Sequence, residues 1–272
     1  MCYKHLMKQL KINNPFHAPV YHEEITCSTM EISRSLALQG AVHGTVFASD
    51  FQETGRGRIQ GRLWEAGKGE SLLFTMLLRY PGLDKIPRAF TLRAGLAVAL
   101  AIEDFEPSLK NISAIKWPND VMLIDRSKGR QNAKKTAGIL AEAENGNVYL
   151  GIGVNVAQKK FSFNLQNKAG SISLAAGKEF AAHERFVLLE LILKRLHKEF
   201  SLTACANSQI WKKRIEERLF KKGEKVCFAE GPANSKTIIS GILTGLGPEG
   251  ELQILPHDEK EIRTFITGEL IF

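Results

Sequence analysis

Three consecutive apolar segments of strand length constrain the fold of this 272-residue chain most strongly. They cover residues 121–124, 136–143 and 148–156, and only the polar stretch 125–135 and the Asn145-Gly146-Asn147 turn separate them. Strands joined by such short connections run in opposite directions. The pattern therefore predicts a mainly antiparallel sheet in the middle of the chain.

The sequence predicts further strands and helices on both sides of this sheet. Strands are expected at 45–49, 71–79 and 114–117, and helices at 29–39, 88–105, 183–202 and 207–219. Ser28 and Glu31 have the spacing of a capping box at the start of the first helix. The last two helices are expected to cover one face of the sheet.

The chain changes character after residue 222. Short strands are predicted at 225–229, 237–244, 251–255 and 262–267, with a Gly-Pro-Glu-Gly turn at 247–250. These strands indicate a small β-barrel. We therefore expect an α+β protein of two domains, 1–222 and 223–272, of which the first begins with a short lead at 1–22.

Charge and cysteine usage limit the classes of function. Lys and Arg number 37 against 29 Asp and Glu, a net charge of +8 that favours anionic partners. The four cysteines lie far apart without a C-x-x-C pair and the seven histidines are scattered, so neither a disulfide framework nor a metal site built from His and Cys is predicted. Without an apolar leader or a run of about 18 apolar residues, the chain is expected to be soluble and cytoplasmic.

A glycine-arginine loop between two predicted strands carries the first candidate site. It contains Gly55, Arg56, Gly57, Arg58, Arg62 and Trp64. Guanidinium groups bind carboxylate and phosphate oxygens through paired hydrogen bonds, and glycines allow the backbone to approach a ligand closely. The loop therefore predicts an anion-binding site, with an ordinary basic surface loop as the alternative.

The second candidate is the string Lys116-Trp117-Pro118-Asn119-Asp120, the most specific in the chain. Asn119 and Asp120 can bind a nucleotide or its magnesium ion, or they can form a turn with Trp117 in the core. Lys135 precedes an apolar strand and can project into a weakly screened pocket. The alternative for Lys135 is one more solvated surface cation.

Two further groups of residues have both a ligand-binding and a structural interpretation. Three glycines on predicted strands can form a flat ligand floor or mark tight packing: Gly138, Gly151 and Gly153. Four polar residues can hydrogen-bond a ligand or serve as caps and turns: Ser28, Thr29, Gln52 and Asn155.

Taken together and in this order, these strings resemble the catalytic module of biotin protein ligases, over roughly residues 23–272. The resemblance implies a class II synthetase-like catalytic domain with a mixed, mainly antiparallel sheet, and a C-terminal SH3-like barrel. It implies an enzyme that converts biotin and ATP to biotinoyl-5′-adenylate and pyrophosphate. Biotin then passes to a specific lysine in the biotin carrier domain of a carboxylase, such as acetyl-CoA carboxylase. Mg²⁺ would accompany ATP near Asp120.

The resemblance also implies roles for individual residues. Biotin contacts are implied for Ser28, Thr29, Gln52, Gly55, Arg56, Gly57, Arg58, Lys135, Gly138, Gly151 and Gly153. ATP contacts are implied for Arg58, Arg62, Trp64, Lys116, Asn119, Asp120, Lys135 and Asn155. Arg58 and Lys135 are the implied catalytic residues, because they would offset the repulsion between two reacting anions.

The chain departs from the family pattern in three ways. Its arginine loop is one residue longer than the common form, Met30 stands in place of the usual Asn, and the N-terminal DNA-binding domain of the bifunctional repressor-ligases is missing. Neither nucleic acid nor a membrane is an expected partner, and a monomer or homodimer is expected. Two alternatives stay open: a lipoate ligase or octanoyltransferase of similar fold, and a basic nucleic-acid-binding module.

Overall fold

Eight strands form the larger sheet in a computed structural model that describes residues 7–58, 64–124, 132–201, 208–231 and 237–271. They are β1 (Lys8–Leu10), β2 (Val20–Thr26), β3 (Val46–Gln52), β4 (Ser71–Arg79), β5 (Ser113–Lys116), β6 (Asp120–Leu123), β7 (Lys134–Glu144) and β8 (Asn147–Asn155). Their order is β1-β2-β3-β4-β8-β7-β6-β5. Of the strand pairs described, only β2 and β3 run parallel, because a helical crossover joins them whereas tight turns join β5 to β6 and β7 to β8.

Helices cover both faces of this sheet. The α-helices of the described residues are α1 (Thr29–Leu38), α2 (Phe90–Phe105), α3 (Ile172–Ala176), α4 (Glu184–Ser201) and α5 (Ser208–Glu216), of which α1, α2 and α4 pack on the sheet. α2 and α4 pack together on one face, where the alternate residues Leu72, Phe74 and Met76 of β4 enter the main core. α1 covers the opposite face, against Leu77 and Tyr149.

Five antiparallel strands form a second, smaller sheet at the end of the chain. They are β9 (Lys225–Glu230), β10 (Ile238–Leu246), β11 (Leu252–Pro256), β12 (Arg263–Phe265) and β13 (Gly268–Ile271), in the order β12-β11-β10-β9-β13. Their buried side chains form one apolar cluster with Leu92 and Leu96 of α2 and with Trp211 and Ile215 of α5. Trp117 belongs to the same cluster, and its Nε1 donates to Gly250 O at 3.0 Å.

The predicted fold class is confirmed: a mixed, mainly antiparallel sheet is flanked by helices and followed by a small β-barrel. The structure corrects three details. It contains β1 and β2, which were not predicted, and it shortens the predicted strand 262–267 to β12, which is followed by the unpredicted strand β13. The predicted helix 207–219 does not lie on the sheet beside α4, because α5 fills the space between α2 and β10. The domain boundary at 222/223 stays a prediction.

Within the described ranges, no helix is both long enough and apolar enough to cross a membrane.

Candidate active site

A pocket opens where β2 and β3 end side by side. Because these strands are parallel, Thr26 lies opposite Gln52 and the chain leaves both strands at the same edge. β2 leads into α1, and β3 leads into the arginine loop. Glu53 N donates to Thr26 O at 3.0 Å and Thr54 N donates to Cys27 O at 2.9 Å, so the two exits are tied together. One parallel strand pair therefore supplies a whole wall of the pocket.

A buried hydroxyl-amide cluster forms one end of this pocket. Thr29 donates to Gln52 Oε1 twice, from its backbone N–H at 2.8 Å and from its hydroxyl at 3.0 Å. Thr75 Oγ1 lies 2.8 Å from Thr29 Oγ1, and since the Thr29 proton is already used, the Thr75 hydroxyl is the donor. The capping box expected at Ser28 is wrong for the residues described, because the Ser28 side chain makes no capping hydrogen bond; Gln52 instead accepts from the N–H of Thr29, the first residue of the helix.

A floor of glycines lies beneath the Trp64 indole. A Cβ atom added at Gly138 would lie 2.8 Å from Trp64 Cζ3, and one added at Gly153 would lie 2.8 Å from Trp64 Cε2. Carbon atoms normally pack at about 3.5–4.0 Å, so only glycine fits under the ring. Gly151 faces Met30, whose Cε would lie 3.0 Å from an added Cβ.

The Trp64 indole carries a polar atom that the described residues leave without a partner. Its Nε1 is buried, and no hydrogen-bond acceptor within the described part of the chain reaches it. Buried N–H groups are nearly always satisfied. A ligand acceptor in the pocket would supply the missing bond.

Cationic side chains form the other end of the pocket. Lys135 Nζ lies 2.7 Å from Asp120 Oδ1 and 5.6 Å from the centre of the Trp64 ring. Arg56 and Arg58 also line the pocket. Arg58 Nη2 donates to Gly268 O of the barrel at 3.0 Å, so a contact from the second sheet reaches the pocket.

A buried ion cluster anchors the chain where the arginine loop returns to the sheet. Asp50 Oδ1 lies 2.5 Å from His22 Nε2 and accepts a hydrogen bond from Arg185, whose Nη1 also donates to Gly69 O at 3.0 Å. Burial raises the pKa of the Asp50 carboxyl, but the His22 hydrogen bond and the Arg185 charge outweigh burial and lower this pKa below its usual value. The charged carboxylate thus fixes the return of the loop at neutral pH.

The pocket brings together most of the predicted site residues: Ser28, Thr29, Gln52, Arg56, Gly57, Arg58, Trp64, Asn119, Lys135, Gly138, Gly151 and Gly153. Asp120 joins them through Lys135, and the Gly55 carbonyl accepts from Trp64 N at 3.0 Å. Lys116 and Asn155 stand at the ends of β5 and β8, and neither is among the described residues that line the pocket. Arg62 lies outside the described residues.

Sequence reasoning did not assign several lining residues: Met30, Leu73, Phe74, Thr75, Ile139, Leu140 and Ile152. Thr75 is the informative case, because its side chain is fully buried in the middle of the apolar strand β4. A polar residue in the interior of a buried strand requires a hydrogen-bond partner. That requirement is the signal that could have pointed to Thr75.

A comparison with known families identifies the group to which this pocket belongs. Residues 24–158 match the model of the biotin/lipoate A/B protein ligase family. This segment of the chain belongs to that family. The part that matches the ligase model runs from β2 to just beyond β8 and so includes every described residue that lines the pocket.

Individual members of the ligase family are similar to this chain in sequence. The bifunctional ligase/repressor BirA of Bacillus subtilis is 36% identical over 168 residues, which are 59% of this chain and 47% of the relative. The biotin–[acetyl-CoA-carboxylase] ligase of Mycobacterium tuberculosis is 34% identical over 126 residues, which are 45% of this chain and 43% of the relative. The match with this chain thus spans about half the length of these curated relatives.

Solved structures in the ligase family extend the likeness to nearly the whole chain. The biotin protein ligase from Aquifex aeolicus in complex with biotin and ATP superposes with a TM-score of 0.73 at 27% identity, over 93% of this chain and 97% of that chain. The biotin complex of the Leishmania major ligase has a TM-score of 0.60 at 19% identity, over 90% of this chain and 97% of that chain, and shares the fold.

Proposed function

We propose that this chain is an ATP-dependent biotin protein ligase. The observation that carries the proposal is a single pocket in which a hydroxyl-amide cluster, a glycine floor and a lysine-arginine end meet. This sequence of surfaces fits a ligand with a polar ring at one end and a carboxylate at the other. Biotin has this form, since its ureido ring is joined through a thioether ring and an alkyl chain to a carboxylate.

Each surface then has a ligand group to bind. Thr29, Gln52 and Thr75 hydrogen-bond the ureido ring, because their amide and hydroxyl groups are already gathered at one end of the pocket. Met30 and Gly151 contact the thioether ring and the alkyl chain. Arg56, Arg58 and Lys135 bind the carboxylate and the α-phosphate of ATP, and Trp64 packs against the nucleotide.

In the first half-reaction, a carboxylate oxygen of biotin attacks the α-phosphorus of ATP. The bond from that phosphorus to the bridging oxygen of the β-phosphate breaks, and pyrophosphate leaves with the bonding electrons. Two anions must approach each other, so preorganised cations lower the barrier. Lys135 is preorganised by Asp120 at 2.7 Å. Arg58 exchanges Gly268 O for a substrate oxygen.

In the second half-reaction, the neutral amine of a carrier lysine attacks the acyl carbon of biotinoyl-5′-adenylate. The acyl–oxygen bond to AMP breaks, an amide bond forms, and the amine loses a proton. The partner in this proposal is the biotin carrier domain of a biotin-dependent carboxylase. The mixed anhydride is sensitive to water, so the pocket must exclude solvent between the two steps.

Magnesium belongs to this proposal as part of the ATP substrate. Among the described residues, no group of three or more His, Cys, Asp or Glu side chains is placed to hold a metal ion. Asp120, the acidic residue of the pocket string, is already paired with Lys135. The protein therefore contributes cations and hydrogen-bond donors, and the ion arrives with the triphosphate.

Mass spectrometry of a biotin carrier domain tests this function. The domain is incubated with the protein, biotin, ATP and Mg²⁺, with biotin-free and ATP-free controls, and addition of one biotin at a lysine is expected. Biotin-dependent pyrophosphate release without transfer would mean that the carrier is incompatible. Pyrophosphate release that depends on lipoate or octanoate instead of biotin would overturn the proposal in favour of a lipoyl-type ligase.

A matched pair of variants tests the assignment of the ring-binding end. Thr75→Val removes the hydroxyl that donates to Thr29, so the KM for biotin should rise while the KM for ATP stays unchanged. Thr45→Val is the control, because the Thr45 hydroxyl is buried without a partner among the described residues and lies outside the pocket lining. Equal KM values for biotin in both variants would exclude Thr75 from the ring site.

A further inference from the structure

The loop that follows β8, residues 156–171, is bound to the backbone of Lys135. Lys135 N donates to Lys168 O at 2.8 Å, and Gly170 N donates to Lys135 O at 2.9 Å. The two segments form a parallel β-bridge at this point. β8 pairs with β7 only from Ala137 onward. At Lys135 the loop therefore takes the place of β8 as the neighbour of β7.

A buried hydrogen-bond network holds this loop against the sheet. Asn155 Nδ2 donates to Gly170 O at 3.0 Å, and Gln158 Nε2 donates to Asn155 Oδ1 at 3.1 Å. Gln158 Nε2 also donates to Ser71 Oγ. Ser71, Asn155 and Gln158 are 0%, 4% and 2% exposed, so water does not compete for these bonds. We call Ser71, Asn155, Gln158 and Gly170 the loop clamp.

Gly170 allows the loop to come unusually close to β7. A Cβ atom added at Gly170 would lie 2.6 Å from Lys134 Cβ, well inside the normal contact distance. Lys134 Nζ reaches across to Gln166 O at 3.3 Å. The loop and the first residues of β7 therefore form one packed unit, and a shift of the loop would be transmitted to the backbone of Lys135.

We propose that the loop clamp positions Lys135 for adenylation, an inference that rests on the proposed function. Lys135 is fixed at two points, at its backbone by the loop and at its ammonium group by Asp120. Both ends of the Asn155 amide are engaged inside the clamp, which accounts for its place outside the pocket lining. Asn155 and Gln158 are thus positioning residues that act through Lys135.

Two isosteric variants break the clamp without opening a cavity. Asn155→Asp replaces the amide nitrogen that donates to Gly170 O with a carboxylate oxygen. Gln158→Glu likewise replaces the amide nitrogen that donates to Asn155 Oδ1 with a carboxylate oxygen. Ser173→Ala is the matched control, because it removes a part-buried hydrogen bond from Ser173 of the neighbouring helix α3 to Lys178 O, and among the described residues the Ser173 hydroxyl bonds no member of the clamp.

Biotin-dependent exchange between ATP and pyrophosphate measures the consequence for adenylation. Displacement of a reacting group by about 1 Å can cost about 10²-fold, so kcat should fall about 10- to 100-fold in Asn155→Asp and Gln158→Glu. KM for ATP should stay unchanged, and Ser173→Ala should keep the wild-type kcat. If Asn155 were instead a nucleotide contact, Asn155→Asp would raise KM for ATP, and the proposal would be overturned.

A double-variant cycle with Lys135→Ala tests whether the clamp acts through this lysine. Once the lysine side chain is gone, its position no longer matters, so adding Gln158→Glu should cause no further loss of kcat. A purely structural defect would lower the rate by the same factor in both backgrounds. Losses that multiply would therefore overturn the proposal.

Hydrogen exchange tests the clamp independently of activity. The Lys135 amide is bonded to Lys168 O, so Gln158→Glu should lose protection there while Ser173→Ala retains it. Unchanged protection in Gln158→Glu would overturn the clamp whatever the enzyme does. If the wild type catalyses no exchange between ATP and pyrophosphate with biotin or any other carboxylic acid, the proposed function fails. Hydrogen exchange alone then decides whether the clamp holds the Lys135 backbone. If the wild type is active but the losses of kcat in the double-variant cycle multiply, the clamp proposal fails and the proposed function stands.

Discussion

Replacing Gly153 with alanine tests the contact between the glycine floor and Trp64. The added Cβ would lie 2.8, 3.0 and 3.1 Å from Trp64 Cε2, Cζ2 and Cδ2, whereas carbon atoms pack at about 3.5–4.0 Å. All three atoms belong to one rigid ring, so the indole must move as a body by roughly 0.5–1 Å. Overpacking of this kind costs about 1–3 kcal/mol. Because Trp64 is only half-buried and can shift toward solvent, we expect a loss of about 1–2 kcal/mol.

Urea denaturation followed by circular dichroism measures this loss in the free energy of unfolding. Gly95→Ala is the matched control, because its Cβ would lie 3.8 Å from Ile115 Cγ2 and Ile139 Cδ1, at ordinary contact distance inside α2. Alanine favours helix over glycine, so this control should gain up to about 1 kcal/mol.

A double variant identifies the indole as the cause. Combining Trp64→Ala with Gly153→Ala removes the ring that the added methyl group would meet, so the double variant should be less destabilised than the sum of the single variants by about 1 kcal/mol. A Gly153→Ala protein with the wild-type denaturation midpoint would refute the reasoning. Additive free energies in the cycle would show that the methyl group meets something other than the Trp64 ring.

Three further changes have expected results. Lys135→Ala should slow biotin-dependent pyrophosphate exchange about 10²- to 10³-fold, whereas Lys159→Ala, which removes only an exposed pair with Glu179, should not; near-wild-type exchange by the first variant would exclude its role. Asp50→Asn should lower the free energy of unfolding at pH 7. Because the pKa of Asp50 is lowered in the folded state, its carboxylate makes its full contribution to the free energy of unfolding above the unfolded pKa of about 3.9 and loses this contribution as pH falls through the folded pKa. A difference in stability between wild type and Asp50→Asn that persists unchanged in stronger acid would contradict this expectation. Arg93→Met should destabilise the protein by about 3 kcal/mol, the low end for breaking a buried ion pair, because Arg214 still pairs with Glu199; an unchanged urea midpoint would rule this out.

The apolar strands and helices of the fold could be predicted because their own side chains carry the pattern. Every residue of β4 except the last is buried, and a mostly apolar run of this length predicts a buried strand. β2 could not be found in this way, because it contains His22, Glu23 and Glu24. His22 is satisfied by Asp50 on β3, and Glu24 lies 2.7 Å from Lys68. The stability of β2 thus depends on partners that are distant in the sequence.

The site residues likewise fall into those that residue type alone predicts and those that depend on tertiary contacts. Its glycines and cations could be predicted, because close backbone approach and anion binding each require particular residue types. Thr75 could be recognised as a buried polar residue that needs a partner, but it could not be assigned to the pocket, because its orientation depends on the register of β4 against β3 and β8. Asn155 shows the opposite difficulty: the family resemblance implies an ATP contact for it, whereas the folded chain directs its amide into a buried network.

The apolar cluster between the barrel and the larger sheet limits how this protein can be divided. Leu92, Leu96 and Trp211 bury the same interior as Phe228 and Leu246 of the barrel. A chain cut at residue 222 would expose that interior as a continuous hydrophobic surface, which promotes self-association. Where they meet, residues 1–222 and residues 223–272 share one hydrophobic core, and neither segment buries this surface without the other. Heating should therefore melt the barrel together with α2 and α5 in one cooperative transition, even though the polypeptide reads as two domains.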